Sequence, residues 1–223
     1  MPVEEAGPQL PDREGYFDRW TALHGGYEPR NNVLVRWWLG FAYAVARPLA
    51  TARVPPDLVT LVGLLLAGAA VGLATGDGWW LLGAALMVVL AGLLDNVDGA
   101  VAVLRDRVTR WGSVLDPVSD RIGDLLFLAA LSVAGAPWQA CVLGGALMFL
   151  QEYTRARAGA AGMSEVGIVT VWERPTRVIV TAAFLASAAA LGDPWPELGA
   201  WAWSLLGAVG LTQLLVVARR RLS

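Results

Sequence analysis

Asp95, Asp98, Asp116 and Asp120 lie at fixed spacing inside otherwise apolar sequence. An ionised carboxylate near the middle of a bilayer costs roughly 2.5–3.5 kcal/mol on insertion scales, so four at membrane depth need cations or water beside them. With no His or Cys in the set, this is a hard oxygen site, suited to Mg²⁺ or Mn²⁺ rather than zinc. Carboxylate-bound Mg²⁺ keeps positions open for phosphate oxygens. Gly99 and Gly112 remove side-chain bulk in the same run, where a nucleotide can lie against backbone. The implied chemistry is phosphoryl transfer with two ions clamping a diphosphate. A helix stop with an Asx turn would account for Asp95-Asn96-Val97-Asp98-Gly99. It would not account for Asp116, Asp120 or the unbroken apolar run Val101–Leu104. A calcium loop of the EF type is excluded, because it needs alternate-residue acids and a closing Glu.

Helices must present these groups. Asp95 and Asp98 are three residues apart, so on a helix they project about 60° from each other and share a face. Gly112, Asp116 and Asp120 step by four along one face of the next helix. Only the short turn 105–110 separates the two segments, which predicts antiparallel neighbours whose carboxylates meet near one membrane surface.

The rest of the chain supplies such helices. Its 223 residues are 56% hydrophobic, 16% charged and include 11 Trp, with mean hydropathy +0.52. This composition predicts an all-α, polytopic membrane protein. Six transmembrane helices are expected at about 57–75, 79–104, 112–134, 138–159, 174–192 and 196–217. An amphipathic juxtamembrane helix should precede them, because Val33, Leu34, Trp37, Trp38, Phe41, Ala42, Val45 and Leu49 recur near helical spacing with Arg36 and Arg47 among them. Val54-Pro55-Pro56 ends that helix, and Asp57 is placed to cap the next. Residues 1–31 read as an extended or loosely helical cytoplasmic tail and 32–53 as the interfacial helix. Residues 54–218 form the six-helix domain, and 219–223 a basic cytoplasmic terminus.

Loops carrying Arg (105–110, 155–174, 219–221) alternate with Arg-free loops flanked by Trp79, Trp80, Trp138 and Trp195. The positive-inside rule therefore puts both termini in the cytoplasm of a multi-pass cell-membrane protein. Glycines at Gly63, Gly68, Gly72, Gly83 and Gly92 suit close helix packing in lipid, and no inverted repeat of the transporter kind is present. The N-terminus lacks the basic and apolar regions of a cleaved signal peptide. The lone Cys141 is a packing residue without disulfide or thiol-metal chemistry, and His24 belongs to a surface turn. All 17 basic residues are Arg, which a high-GC codon bias explains, although Arg also suits bidentate phosphate contacts better than Lys. The net charge of −2 says nothing sharp about partners, and no nucleic-acid partner is expected.

The string Asp95-x-x-Asp98-Gly99-x-x-Ala102, followed by Gly112-x-x-x-Asp116-x-x-x-Asp120, resembles the defining motif of the CDP-alcohol phosphatidyltransferases. The resemblance extends to Pro56-Asp57-Leu58-Val59-Thr60, Tyr153-Thr154-Arg155-Ala156-Arg157 and Glu173-Arg174-Pro175-Thr176-Arg177, and so covers most of the chain beyond residue 54. Val103 stands where the family usually has Arg, with Arg105 two residues on, and Asp57 where Asn is common.

The resemblance implies six transmembrane helices and a phosphotransferase of phospholipid biosynthesis. Asp95, Asp98, Asp116 and Asp120 would hold two Mg²⁺, or Mn²⁺, with Asp120 also the general base. Thr60, Asp95, Gly99, Ala102, Gly112 and Asp116 would bind the CDP moiety of CDP-diacylglycerol. Arg155, Arg174 and Arg177 would take the phosphate of a polar alcohol acceptor, glycerol 3-phosphate or an inositol phosphate, rather than merely flank the membrane. Membrane lipids surround the protein, and a homodimer is implied. Two rival readings differ in what they predict. A cation-binding transporter would scatter acids over several helices, whereas here they concentrate on one pair. A family member without activity has Val103 as its sole support.

Overall fold

The computed structural model describes residues 10–163 and 169–223. It is built from helices, with no strand among the described residues. In chain order these are α1 (Arg13–Leu23), α2 (Val33–Thr51), α3 (Pro56–Leu73), α4 (Trp79–Leu104), α5 (Gly112–Val133), α6 (Trp138–Ala160), α7 (Arg174–Leu191) and α8 (Trp195–Leu222). A short 3₁₀ turn, Pro29–Asn31, sits between α1 and α2. A helix thus occupies each of the six segments expected to span. α3, α4 and α8 are long and apolar enough to cross a membrane. α5, α6 and α7 are of similar length but carry the ionisable residues Asp116, Asp120, Arg121, Asp124, Glu152, Arg155, Arg174 and Arg177.

The chain divides into two compact units. One comprises residues up to Leu61 together with Leu94–Val114, and the other Val62–Leu93 together with Leu115–Ser223.

The first unit begins with a regular helix, α1, where an extended or loosely helical tail is expected. Asp12 caps α1, its Oδ1 accepting from Gly15 N at 2.9 Å, and Glu14 lies in the first turn where the helix dipole favours an anion. Tyr16 and Phe17 then bury against Leu39, Ala42, Ala46 and Ala50 of α2, Val59 of α3, and Val97, Ala100, Val101, Val103 and Leu104 of α4. The guanidinium groups of Arg13 and Arg30 lie 5.3 and 5.4 Å from the Phe17 ring centroid, and Arg30 pairs with Glu14, Asp18 and Glu28. The opposite face of α2 exposes Val33 and Trp37, the latter 67% accessible and stacked on Phe41. His24 caps the C-terminus of α1 and is exposed.

Two arginines supply partners where helices end in this unit. Arg19 Nη1 donates to the Val103 and Leu104 carbonyls at 3.3 and 3.4 Å, supplying partners to the last turn of α4. Arg105 Nη1 donates to the Arg53 and Val54 carbonyls at 2.9 Å each and fixes the α2–α3 link, where Arg53 adopts φ 58°.

Burial pushes the Tyr16 hydroxyl from 10.0 up to about 12. Between those values the native chain holds a proton that the unfolded chain has released, so stability is complete below pH 10 and falls as pH rises toward 12. Unfolding followed from pH 9 to 12 should show this loss in the wild type and a smaller one in Tyr16→Phe. Identical profiles would reject the assignment.

The second unit packs small residues of α3 (Ala67, Ala70, Ala74) and α4 (Ala84, Ala85, Val88, Ala91) with Phe127, Leu128 and Leu131 of α5. Met148 of α6, Leu185 of α7 and Trp203 of α8 complete this core. A Cβ built on Gly92 would lie 2.7 Å from Val178 Cγ2, so the glycine is what allows α4 and α7 to approach. Val178 is β-branched and has few rotamers to retreat into. Cys141 is buried among apolar neighbours, in keeping with a packing role.

Candidate active site

Thr60, Asp95, Asp98, Gly99, Ala102 and Gly112 all belong to the first unit. Asp98 is 4% exposed, and both its oxygens are engaged. Oδ2 accepts from Thr60 Oγ1 at 2.5 Å, and Oδ1 from its neighbour Gly99 N at 2.6 Å. Thr60 sits one turn into α3, so the first turn of one helix fixes the carboxylate rotamer of another. Asp95 is half-buried one turn earlier on α4. Gly99 is exposed, and a Cβ placed there would meet no atom within 4 Å, so open space adjoins the backbone beside Asp98. Gly112 opens α5, its N–H donating to Thr109 Oγ1 at 2.9 Å. Val103 is buried in the apolar cluster with Tyr16 and Phe17. An Arg at this position would carry a charge into that cluster, which gives a physical reason for the departure from the family pattern.

Asp116 and Asp120 belong to the second unit, and Asp124 extends their step of four along α5. Exposure falls with depth, from exposed Asp116 through half-buried Asp120 to Asp124 at 0%. Arg174 Nη1 lies 2.7 Å from Asp120 Oδ1, and its guanidinium rests against Gly123, where a Cβ would approach Nη2 to 3.2 Å. Arg121 reaches Glu152 at 2.8 Å and Asp120 and Asp124 at 3.5 and 3.4 Å. Arg177, also 0% exposed, bonds Asp124 Oδ2 at 2.8 Å through Nη1, and Glu152 Oε1 and the Trp172 carbonyl at 3.0 Å through Nη2. Arg155 Nη2 donates to Glu173 Oε1 at 2.7 Å. Four guanidinium groups thus interleave with the carboxylates of Asp120, Asp124, Glu152 and Glu173.

All three arginines singled out from sequence enter this network, though at different depths. Arg155 and Arg174 retain some accessible surface, whereas Arg177 retains none, so any action of Arg177 on a ligand passes through its partners. Arg121, Asp124 and Glu152 are not among the residues singled out from sequence, and Glu173 is named there only within the resembling string, without a role. Asp124 had a signal, the continued four-residue step; Glu152 had only its nearness to Arg155, and Glu173 its place in the resembling string.

The sequence matches the family profile described as CDP-alcohol phosphatidyltransferase over residues 53–216. It is 31% identical over 190 residues to a phosphatidylinositol phosphate synthase of Mycolicibacterium smegmatis, covering 78% of this chain and 82% of the relative. An archaetidylinositol phosphate synthase of Methanothermobacter thermautotrophicus is 36% identical over 132 residues, covering 56% of this chain and 63% of that one. A crystal structure of Mycobacterium tuberculosis phosphatidylinositol phosphate synthase with CDP-DAG bound superposes with TM-score 0.65 at 28% identity, covering 79% of this chain and 92% of that chain. The motif on α4 and α5, the helical fold and these matches agree: the chain belongs to the CDP-alcohol phosphatidyltransferase family and is a membrane phosphotransferase of phospholipid synthesis.

Proposed function

We propose that this protein transfers the phosphatidyl group of CDP-diacylglycerol to a hydroxyl of an inositol phosphate and releases CMP. The observation that carries the acceptor assignment is Arg174, ion-paired with Asp120, because a base and a phosphate-binding cation on adjoining side chains suit an acceptor bearing both a hydroxyl and a phosphate. Relatives named for phosphatidylinositol phosphate and archaetidylinositol phosphate support the choice.

In this reading Thr60, Asp95, Gly99, Ala102, Gly112 and Asp116 bind the CDP portion, with the open backbone at Gly99 beside the diphosphate. The all-carboxylate donor set of Asp95, Asp98, Asp116 and Asp120 fits two Mg²⁺ or Mn²⁺ ions. When bound, such ions supply charge neutralisation for the diphosphate and the departing CMP. Asp120 takes the proton of the acceptor hydroxyl. The oxygen attacks the phosphorus that bears diacylglycerol, a new P–O bond forms, and the bond to the CMP phosphate breaks. A phosphate arriving at Arg174 replaces the Asp120 carboxylate as its partner and leaves that carboxylate facing the hydroxyl.

α3 to α8 would cross the membrane six times as one domain over residues 54–218. The basic loops and both termini would be cytoplasmic, with α2 lying at the lipid surface through Trp37 and Phe41 and the chain acting as a homodimer. Purified protein given CDP-diacylglycerol, Mg²⁺ and, in parallel, inositol phosphate, glycerol 3-phosphate or free inositol tests the acceptor. The expected lipid product has the mass of phosphatidylinositol phosphate. Product from glycerol 3-phosphate or free inositol alone would reject the assignment.

A further inference from the structure

The four residues Thr170–Glu173 that lead into α7 are tied down far more thoroughly than a connecting loop requires. Glu173 Oε1 accepts from Thr170 N at 2.9 Å, Thr170 Oγ1 at 2.8 Å and Arg155 Nη2 at 2.7 Å. Gln151 of α6, fully buried, donates from Nε2 to Thr170 Oγ1 at 3.1 Å and to the Trp172 carbonyl at 3.2 Å. Val171 N donates to Gln213 Oε1 of α8 at 3.0 Å. Trp172 itself is 0% exposed and meets Trp203 edge-on, with ring centroids 4.9 Å apart.

Room for the indole comes from α8. A Cβ on Gly210 would stand 2.6 Å from Trp172 Cβ and 2.9 Å from Gln151 Oε1, and one on Gly207 would stand 3.5 Å from Trp172 Nε1. The blocked atom at Gly210 is the root of the Trp172 side chain, not a flexible end, so relief requires the backbone at 172 to move. That backbone is two residues from Arg174, and its carbonyl accepts from Arg177 Nη2 at 3.0 Å. The Arg177 guanidinium also lies 5.9 Å from the Trp172 ring centroid. Loop position and arginine position are therefore mechanically one.

From this we infer that Trp172, seated on Gly210 and held by Gln151 and Thr170, is the positioning residue that sets the register of Arg174 and Arg155, and through them selectivity for a phosphorylated acceptor. The inference deepens the proposed function and rests on its assignment of those two arginines. None of the locking residues needs to touch substrate. Their effect is to fix where Arg155 and Arg174 stand, and at a phosphate-binding position a displacement on the order of 1 Å weighs heavily on rate and binding.

Two variants test it. Gly210→Ala displaces the loop, and Thr170→Val removes the hydroxyl that joins Glu173 to Gln151 while keeping the side-chain shape. Steady-state kinetics on both should show KM for the phosphorylated acceptor rising on the order of tenfold, with KM for CDP-diacylglycerol within about twofold of wild type. Should Gly210→Ala fail to fold in detergent, Thr170→Val decides. A folded Thr170→Val protein whose two KM values rise together, or whose acceptor KM is unchanged, overturns the inference. Failure of the acceptor assignment would appear separately, in the wild-type product; the positioning claim fails only in the variants.

Discussion

Asp120→Asn is expected to lower turnover by on the order of 10²–10⁴-fold while leaving CDP-diacylglycerol binding within a few-fold of wild type. Asn keeps the size and one carbonyl oxygen of the side chain, so the contact with Arg174 Nη1 at 2.7 Å can persist in weakened form. It cannot accept a proton at neutral pH. Single-turnover formation of CMP, set beside equilibrium binding of CDP-diacylglycerol, separates the two effects. Equal loss of binding and turnover would mean that Asp120 acts on the donor rather than on the acceptor hydroxyl.

The second large effect is on stability. Arg177 and Asp124 are both fully buried and bonded at 2.8 Å, so Arg177→Met leaves a carboxylate in the interior with its best partner gone. Breaking such a pair costs about 3–5 kcal/mol, more than the pair contributes relative to apolar residues of similar volume. Arg121 and Arg174 remain 3.4 and 3.9 Å from Asp124 and offset part of the loss, which points to the lower end of that range. Thermal unfolding in detergent should show a marked drop in Tm for Arg177→Met and recovery of much of it in Asp124→Leu/Arg177→Met. A single variant as stable as wild type would show that the buried charge is neutralised by another route.

Much of the fold could be read from composition because the controlling signals are one-dimensional. Apolar length sets helix existence, Pro and Gly punctuate the ends, and the observed starts at Trp79, Gly112, Trp138 and Arg174 coincide with the expected ones. The placement of the motif on helices was equally legible, since spacings of three and four fix a helical face whatever the tertiary structure. α1 is expected only as an extended or loosely helical tail, because its stability comes from burying Tyr16 and Phe17 in a cluster assembled from α2, α3 and α4. Depth was invisible as well. Arg155, Arg174 and Arg177 look alike as flanking charge, yet only Arg177 is wholly enclosed, and the difference is made by Asp124 and Glu152 on two other helices. Nor could the sequence reveal that Trp172 is a core residue rather than an interfacial one, because its partners Gln151, Trp203 and Gly210 are scattered over α6 and α8.

The proposed function requires acids of α4 and acids of α5 alike as ligands of divalent ions. Electron paramagnetic resonance of Mn²⁺, titrated into protein with CDP-diacylglycerol present, measures this through the number of ions bound per chain. Two bound ions are predicted for the wild type, with loss of binding in Asp95→Asn and, separately, in Asp116→Asn, because each variant removes a donor from a different helix. Undiminished Mn²⁺ binding in either variant would contradict the metal-ligand assignment and, with it, the proposed function.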